Sequence, residues 1–323
     1  MYHGGVASAA VTPATQTVAL TVADAHAYLR VDMFIAMQMP WRSRRSIVEL
    51  LGQGAVVVNR RVVRKKAHRL SPGDVVELTV PASPDSQIDL GAIELRILYE
   101  DEDLVVVDKS GDLAVHPAST CQYRNLQRRL AHHYRHEQPD PQVEPSVLHR
   151  LDRTTSGVVA FAKRRGLVDF YTKQFAARTT RKRYVAIVHG RVAGPLRIET
   201  PIHVPPEALS WVGEGGKPSR TDVEVEHSSD RASWLGIDLH TGRRHQIRVH
   251  LASEGHPLVW DELYGPERTD PPRTPGARAL LHAARLSLDH RDGRRLHFEA
   301  PVPDDMREAW KQLSEANPAD DDS

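Results

Sequence analysis

The sequence predicts an α+β protein of two domains, in which a small α+β domain precedes a larger domain built on a mixed, mainly antiparallel sheet. Three observations predict this architecture. Apolar residues at helical spacing lead into short strand patterns near the start of the chain, and a segment rich in chain breakers follows at residues 81–86. Beyond about residue 95 the strand patterns are not regularly separated by helices, which disfavours a doubly wound sheet.

The limits of the domains follow from these patterns. We place the small domain at residues 17–82 and the larger domain at residues 91–312, and 323 residues suit two domains. The two ends, residues 1–16 and 313–323, are predicted to be disordered tails, because the first is small and polar and the second is acidic.

The small domain is expected to contain two short helices and a small sheet. Asp24 is expected to cap a first helix that carries Phe34 and Ile35. Ser43 is expected to cap a second helix, which ends near Gly52. Strands are expected after it at residues 56–59, 62–63 and 75–80.

The larger domain is expected to contain short strands with few helices between them. A helix is expected from about Arg244, with Ile247 and Leu251 on its apolar side and its end at Gly255. Strands are expected at residues 104–107, 158–161, 184–188, 223–225 and 235–239.

The composition excludes several classes of protein. With Cys121 as its single cysteine, the chain forms no internal disulfide and no cysteine metal cluster, and a reducing compartment such as the cytoplasm is expected. No stretch has the roughly 20 apolar residues that cross a bilayer, so no membrane partner is expected. The first sixteen residues lack Lys and Arg, unlike a secretory signal or a transit peptide.

Positive charge is concentrated in two segments although the net charge is only +1. Residues 42–69 contain nine Lys or Arg residues against the single acid Glu49, and residues 149–183 contain ten against Asp152 and Asp169. Either segment alone is also compatible with a solvated charged surface. Together they predict a polyanionic partner that contacts the protein in two places.

The small domain at residues 17–82 contains four recognisable motifs: Arg30-Val31-Asp32, Ser43-Arg44, Gly54-x-Val56-x-Val58-Asn59 and Pro72-Gly73-Asp74. With these motifs it resembles the ribosomal-protein-S-four-type RNA-binding domain. The resemblance departs at Arg60, where glycine is usual. Arg44 and Arg45 lie in the first turn of the second predicted helix, where free backbone N–H groups favour phosphate, so we expect both to bind the substrate.

The second basic segment contains the sharpest motif, His149-Arg150-Leu151-Asp152-Arg153-Thr154-Thr155-Ser156-Gly157, which runs into an apolar strand. The flanking arginines favour an ionised Asp152, which is suited to act as a nucleophile or a base. The residues themselves leave open a structural Arg–Asp pair that stabilises a turn.

This motif resembles the signature loop of the RluA-type RNA pseudouridine synthases. The resemblance implies that Asp152 is the catalytic carboxylate. It places the active-site tyrosine on Tyr184, in Lys182-Arg183-Tyr184-Val185-Ala186, and the active-site basic residue on Arg248, in Thr241-Gly242-Arg243-Arg244-His245-Gln246-Ile247-Arg248. It extends from about Leu95 to Met306, with departures at Ser110 for proline and Trp260 for glycine.

Arg248 borders the apolar side of its predicted helix, so its guanidinium is expected to be partly buried and to need a carboxylate partner. Asp152 is the expected partner. Five neighbouring side chains are expected to bind the substrate: Arg150, Arg153, Arg243, His245 and Gln246.

The resemblance implies RNA as the partner, most reasonably large-subunit ribosomal RNA, and an isomerisation that needs no cofactor. No metal is expected, because the histidines at 132, 133, 136, 240, 245 and 250 lack a ligand pattern and are expected to face solvent or RNA. A monomer is expected. The alternatives are a non-catalytic RNA-binding or ribosome-assembly protein, a synthase acting on transfer RNA, and a hydrolase acting on nucleosides or glycosides, which would ordinarily need two carboxylates.

Overall fold

The computed structural model describes residues 15–39, 44–81, 88–117, 124–206, 208–266 and 276–315. The chain divides into two compact units, one formed by residues 1–89 with 117–124 and the other by residues 90–116 with 125–323. Each unit has its own hydrophobic core. In the described part of the chain, no helix has the length and apolar character needed to cross a membrane.

The first unit combines a four-stranded antiparallel sheet, in the order β1-β4-β2-β3, with two α-helices. The helices bury Phe34, Ile35, Ile47 and Leu51 against the sheet residues Val56, Val76 and Leu78. The bounds are β1 Thr15–Thr21, α1 Val31–Gln38, α2 Arg44–Gln53, β2 Val56–Val58, β3 Arg61–Val62 and β4 Val75–Pro81.

Three features of this unit differ from the prediction. Strand β1 was not predicted and begins within the expected tail, yet it pairs with β4 along its whole length because Val18 and Leu20 pack on the core. Asp24 begins a short 3-10 turn, Asp24–His26, and caps no α-helix; α1 begins at Val31. The expected cap Ser43 and residues 82–87 of the linker region lie outside the described residues.

The turn between β2 and β3 explains the departure at Arg60. Asn59 and Arg60 both have positive φ, 48° and 67°, as a two-residue hairpin turn with the twist of its strands requires. The Asn59 side chain ties the turn to the neighbouring loop, since its Nδ2 donates to Asp74 at 2.7 Å and its Oδ1 accepts from the Val75 N–H at 2.9 Å. Arg60 therefore holds a position that glycine adopts more readily.

The second unit contains a ten-stranded mixed sheet with the main order β10-β13-β14-β9-β15-β8-β6-β5. The pairing is antiparallel throughout except between β15 and β8, so the prediction of a mixed, mainly antiparallel sheet is confirmed. The described strands of the sheet are β5 Arg96–Glu100, β6 Leu104–Lys109, β7 Ser146–Val147, β8 Ser156–Ala162, β9 Arg181–His189, β10 Leu196–Ile198, β13 Thr221–Ser228, β14 Ala232–Leu239, β15 Leu281–Asp289 and β16 Arg295–Glu299; β11 Ile202–His203 and β12 Trp211–Val212 form a separate hairpin.

Both faces of this sheet are covered. On β9, Tyr184 and Ala186 belong to the core on one face, whereas Val185 and Ile187 pack with the last helix on the other. That helix runs three residues past the predicted domain end of 312, because Leu313 is buried in this second core. The helices are α3 Leu126–His132, α4 Val168–Ala177, α5 Gln246–Ser253 and α6 Asp304–Glu315.

Two histidines expected to face solvent or RNA are buried instead. His133 Nδ1 lies 2.7 Å from a Glu137 carboxylate oxygen. His250 is enclosed between the Thr221 hydroxyl and the Thr200 carbonyl oxygen, each 2.9 Å from a ring nitrogen. Helical periodicity alone did not show this burial. Glu137 is at i,i+4 spacing from His133, whose Nε2 is buried with no hydrogen-bond partner among the described residues, and the partners of His250 come from distant segments.

Candidate active site

Asp152 lies in the loop between β7 and β8. The Thr155 N–H donates to the Asp152 carbonyl oxygen at 3.0 Å and closes a turn. Gly157 follows at φ 110°, where a Cβ atom would lie 2.2 Å from the Ala283 carbonyl oxygen. The glycine of the motif is thus required by the close parallel approach of β15 to β8.

The buried side chains of Lys109 and Arg278 donate hydrogen bonds to backbone carbonyl oxygens of the Asp152 loop. Lys109 Nζ donates to the Arg153 carbonyl oxygen at 3.1 Å and to the Leu113 carbonyl oxygen at 2.7 Å. Arg278 Nη1 donates to the Thr154 carbonyl oxygen at 3.1 Å. Burial, with a smaller contribution from Arg278, lowers the pKa of Lys109 to about 7. The sequence alone predicted no role for Lys109 or for Arg278.

Arg248, on α5, is buried and makes its main contacts with Asp261. Its Nε and Nη2 donate to the two Asp261 carboxylate oxygens at 2.8 and 2.5 Å. Its Nη1 lies 3.6 Å from Asp152 Oδ2, which is an ion pair without a hydrogen bond. The expected ion pair between Arg248 and Asp152 is therefore present, but the prediction missed the principal partner: Asp261 fixes the guanidinium in a bidentate pair, and Asp152 faces the remaining nitrogen.

The environment of Asp261 keeps that carboxylate charged. Burial raises its pKa, but the hydrogen bonds from Arg248 and from the Leu263 and Tyr264 backbone N–H groups outweigh burial and lower the pKa overall. The Tyr264 ring lies over the guanidinium, 5.3 Å from Arg248 Cζ. The sequence contains Asp261-x-x-Tyr264, a spacing that lets one loop both pair with and cover the arginine.

His245 approaches Asp152 from a strained position. Its φ of 58° is in the left-handed region, at the residue that precedes α5. Its Nδ1 lies 3.0 Å from the Tyr264 hydroxyl, and its Nε2 lies 4.0 Å from Asp152 Oδ1. Burial lowers the pKa of His245 and the charge of Asp152 opposes that effect. Non-glycine residues with this backbone conformation concentrate at functional sites.

Tyr184 lies on β9 with its side chain in the same cavity as Asp152. It is 7% exposed, and its hydroxyl makes no hydrogen bond with the described residues. Burial, reinforced by the negative charge of Asp152, raises the pKa of the Tyr184 phenol. A neutral hydroxyl is therefore available to a ligand in the cavity.

Two cavities meet at Asp152. One of about 110 Å³ is lined by Arg150, Tyr184 and Arg243. The second, of about 270 Å³, is lined by Arg153 and Trp260. Asp152, His245 and Arg248 line both. The arrangement places one partly exposed carboxylate, one guanidinium and one phenol around a space bordered by cations.

Comparison of the sequence with known proteins identifies the family to which the chain belongs. Residues 103–253 match the family described as RNA pseudouridylate synthase, and residues 29–76 match the S4 domain. An RNA pseudouridine synthase of Aquifex aeolicus is 34% identical over 300 residues, which cover 90% of this chain and 95% of the relative. The chain belongs to the RNA pseudouridine synthases.

Other members of the family agree. The ribosomal large subunit pseudouridine synthase D of Nitrosomonas europaea is 33% identical over 297 residues, covering 90% of this chain and 86% of that protein. The structure of human RNA pseudouridylate synthase domain containing 1 superposes with a TM-score of 0.53 and 26% identity, covering 69% of this chain and 97% of the human chain. RNA pseudouridine synthases are isomerases.

In this synthase the side chains expected to bind the substrate have different environments. Arg150 and Arg153 are exposed beside Asp152, and Arg150 Nη1 lies 3.3 Å from His116 Nε2. Arg243 donates from Nη2 to the Pro218 carbonyl oxygen, while its buried Nε has no hydrogen-bond partner among the described residues. The side chains of Arg44 and Arg45, in the first unit, lie outside the described residues.

Gln246 is used within the protein. Its Oε1 accepts from the Thr241 hydroxyl at 2.8 Å and the Arg243 N–H at 3.1 Å. Its Nε2 donates to the Arg220 carbonyl oxygen and the Thr221 hydroxyl. With its amide occupied, Gln246 shapes the loop that presents Arg243 and His245.

Metal ligation finds no support within the described ranges. No group of three or more His, Cys, Asp or Glu side chains there has a geometry that could hold a metal ion.

Proposed function

We propose that this synthase isomerises specific uridines in large-subunit ribosomal RNA, with Asp152, Tyr184 and Arg248 as its catalytic residues. Two features support the choice of RNA. The relatives in Nitrosomonas europaea and Vibrio parahaemolyticus are named ribosomal large subunit pseudouridine synthase D. The S4 domain, which precedes the catalytic domain in the sequence, supplies a second RNA-binding module. The monomeric state and cytoplasmic location expected from the sequence stay predictions.

One observation carries the assignment of Asp152. It is the carboxylate that lines both cavities, its side chain is 27% exposed, and a fixed guanidinium lies 3.6 Å away. An acid buried only for structural reasons would be enclosed and fully hydrogen-bonded. Asp152 is instead oriented by its loop and open to a ligand.

The reaction is redox-neutral. The N1–C1′ glycosidic bond breaks, the uracil turns, C5 forms a new bond to C1′, and the proton lost from C5 is balanced by one gained at N1. The Asp152 carboxylate is placed to attack the sugar or the base, or to remove a proton from the sugar. Arg248 keeps that carboxylate oriented and compensates its charge.

The ring and the hydroxyl of Tyr184 have separate roles in the proposed reaction. Its ring offers a surface for stacking against uracil, an interaction worth about 1–3 kcal/mol. Its hydroxyl makes no bond within the described protein and is free to assist removal of the C5 proton. The nucleotide must leave its stack first, which costs a few kcal/mol and least in a loop or single strand. The exposed arginines 150 and 153 would hold its phosphates.

The test maps pseudouridines across total RNA from cells that contain wild-type protein, the Asp152→Asn variant or no protein. We expect specific positions in large-subunit ribosomal RNA to be modified by wild type and unmodified with Asp152→Asn. Asp230→Asn, an exposed carboxylate outside both cavities, is the control and should behave as wild type.

Three results would overturn the proposal in different ways. Modification confined to transfer RNA would reject the substrate and leave the chemistry standing. Pseudouridine formation by Asp152→Asn at the wild-type rate would reject the catalytic role, and release of free uracil would indicate a hydrolase.

A further inference from the structure

A groove of about 760 Å³ lies beside the active-site cavity and shares the lining residues Lys182 and Leu239 with it. One wall is formed by residues 178–182, at the end of α4 and the start of β9. The other is formed by residues of β13 and β14, including Asp222 and Asp238. None of the catalytic or substrate-binding residues assigned above lines this groove.

The charges of the groove are unbalanced. Its two acids are already compensated: Asp222 accepts from Arg220 at 2.6 Å, and Asp238 accepts from Arg183 at 3.2 Å. Three cations, Arg178, Arg181 and Lys182, have no side-chain hydrogen bond or ion pair with the described residues. A groove with three uncompensated cations favours a polyanion.

Lys182 lines both the groove and the active-site cavity. It is partly buried, and burial, with the charge of Arg178 added, lowers its pKa to about 8. Placing an ammonium there without a partner is unfavourable unless an anion compensates it. A phosphate at this point would restore the charged form and would sit between the active site and the groove.

The backbone also favours a role for Arg178. It ends α4 with φ 60°, a left-handed position at which glycine is the usual residue. A side chain with a Cβ is strained in this conformation. Keeping an arginine here places a cation at the rim of the groove, whereas glycine would end the helix equally well.

We propose that this groove binds the phosphates of the single RNA strand that flanks the target nucleotide, with Lys182 at the phosphate nearest the active site and Arg178 and Arg181 at its neighbours. The inference rests on the proposed function. An acidic protein segment is the competing occupant, but the groove shares Lys182 and Leu239 with the cavity proposed for the reacting nucleotide, so an RNA strand that continues from that nucleotide lies next to the groove.

The experiment measures binding of a labelled oligouridylate to the full-length protein across a range of salt concentrations. The slope of log K against log[salt] is negative. In the double variant Arg178→Gln/Arg181→Gln its magnitude should decrease by about 0.7 for each phosphate that is no longer neutralised. Its affinity at low salt should fall by about tenfold or more. Lys182→Gln should act in the same direction, and Lys182→Arg should restore the slope.

The matched control is Arg285→Gln/Lys311→Gln, which removes the same charge from exposed side chains outside the groove. Thermal unfolding of each variant separates loss of binding from loss of fold. Equal slopes for the groove variant and the control would overturn the groove proposal, and so would competition by oligoglutamate as effective as that by unlabelled oligouridylate.

Activity distinguishes this failure from failure of the proposed function. Wild-type conversion of uridine in large-subunit ribosomal RNA, together with equal slopes, would reject the groove and leave the proposed function standing. In the positive case the groove variant should raise KM more than it lowers kcat, because it loses binding energy remote from the reacting atoms.

Discussion

Arg248 is held by Asp261 through two hydrogen bonds of 2.8 and 2.5 Å, while its third nitrogen lies 3.6 Å from Asp152. The two carboxylates therefore have different relations to one cation. Asp261 is buried and fixes the guanidinium, whereas Asp152 is partly exposed and keeps a free oxygen for the substrate. A positioned cation of this kind costs no reorganisation when the carboxylate reacts.

Replacing Asp261 by Asn should therefore damage both stability and activity. The change leaves a buried guanidinium without its charged partner, and we expect the free energy of unfolding to fall by about 3–5 kcal/mol. Without Asp261, the Arg248 guanidinium should move toward Asp152 and form hydrogen bonds with its carboxylate. We expect kcat to fall, because the carboxylate then has no free oxygen for the substrate. Urea denaturation and single-turnover kinetics measure the two effects.

The control is Asp230→Asn, which breaks an exposed pair with Arg191. It should change the free energy of unfolding by no more than about 1 kcal/mol. Equal destabilisation by the two variants would contradict the structural role of Asp261.

The meeting of Asp152, Tyr184 and Arg248 in one cavity was predictable only through the family resemblance. Their motifs are local, but their proximity depends on β15, which lies between β8 and β9 in the sheet and was not predicted. Most of its residues are buried, so its sequence lacks the alternation by which a half-exposed strand is found.

The principal partner of Arg248, Asp261, was not predicted for a related reason. Burial of the helix face correctly required a carboxylate, and Asp152, the carboxylate of the sharpest motif, was expected to supply it. Asp261 lies thirteen residues beyond Arg248 in a separate loop, and no local spacing rule joins the two. Lys109 and Arg278 could not be assigned for the same reason, since Lys109 donates to backbone carbonyls and Arg278 donates to backbone carbonyls and to the distant carboxylate of Asp305.

Replacing Tyr184 by Phe should separate its hydroxyl from its ring. The hydroxyl has no partner in the described protein, so the free energy of unfolding should change by less than about 1 kcal/mol. We expect kcat to fall by about 10²-fold or more if the hydroxyl moves the C5 proton. The charge of Asp152 contributes to the raised pKa of the phenol, and that contribution disappears once Asp152 is neutralised in the reaction.

Tyr184→Leu removes the ring as well, so it should raise KM roughly tenfold in addition, by loss of stacking. Near wild-type kcat for Tyr184→Phe would assign Tyr184 to stacking alone.

Lys109 should make stability depend on pH in a defined direction. Its folded-state pKa of about 7 lies below the unfolded value of about 10.4. Between these values the unfolded chain holds the proton and the folded protein does not, so the Lys109 contribution to stability rises with pH through this window and is lowest below about pH 7.

The check compares wild type with Lys109→Met by urea denaturation at about pH 7 and about pH 9. The variant should be less stable at both, because it leaves the Arg153 and Leu113 carbonyl oxygens without their donor. The difference between the two proteins should widen at the higher pH. Lys311→Met, in an exposed side chain of α6, controls for the loss of a lysine. A difference that shrinks as pH rises would contradict the assignment.

Trp260 is a departure from the family resemblance, which leads us to expect glycine at this position, and the backbone gives a reason for glycine there. Its φ is 61°, in the left-handed region, although the side chain is buried against the second core. Trp260→Ala should lower the free energy of unfolding by about 3–5 kcal/mol through lost packing. Trp260→Gly loses the same packing but relieves the Cβ strain, which is worth about 1–2 kcal/mol and exceeds the added entropy of glycine in the unfolded chain.

We therefore expect Trp260→Gly to be more stable than Trp260→Ala by up to about 1 kcal/mol. The matched control is Trp310 in the middle of α6, where the order should reverse because glycine is about 1 kcal/mol worse than alanine inside a helix. Denaturation of the four variants decides the matter. The same order at both positions would show that backbone conformation does not govern residue 260, whereas opposite orders would show that Trp260 is held in a strained backbone conformation at the cavity that it lines with Asp152.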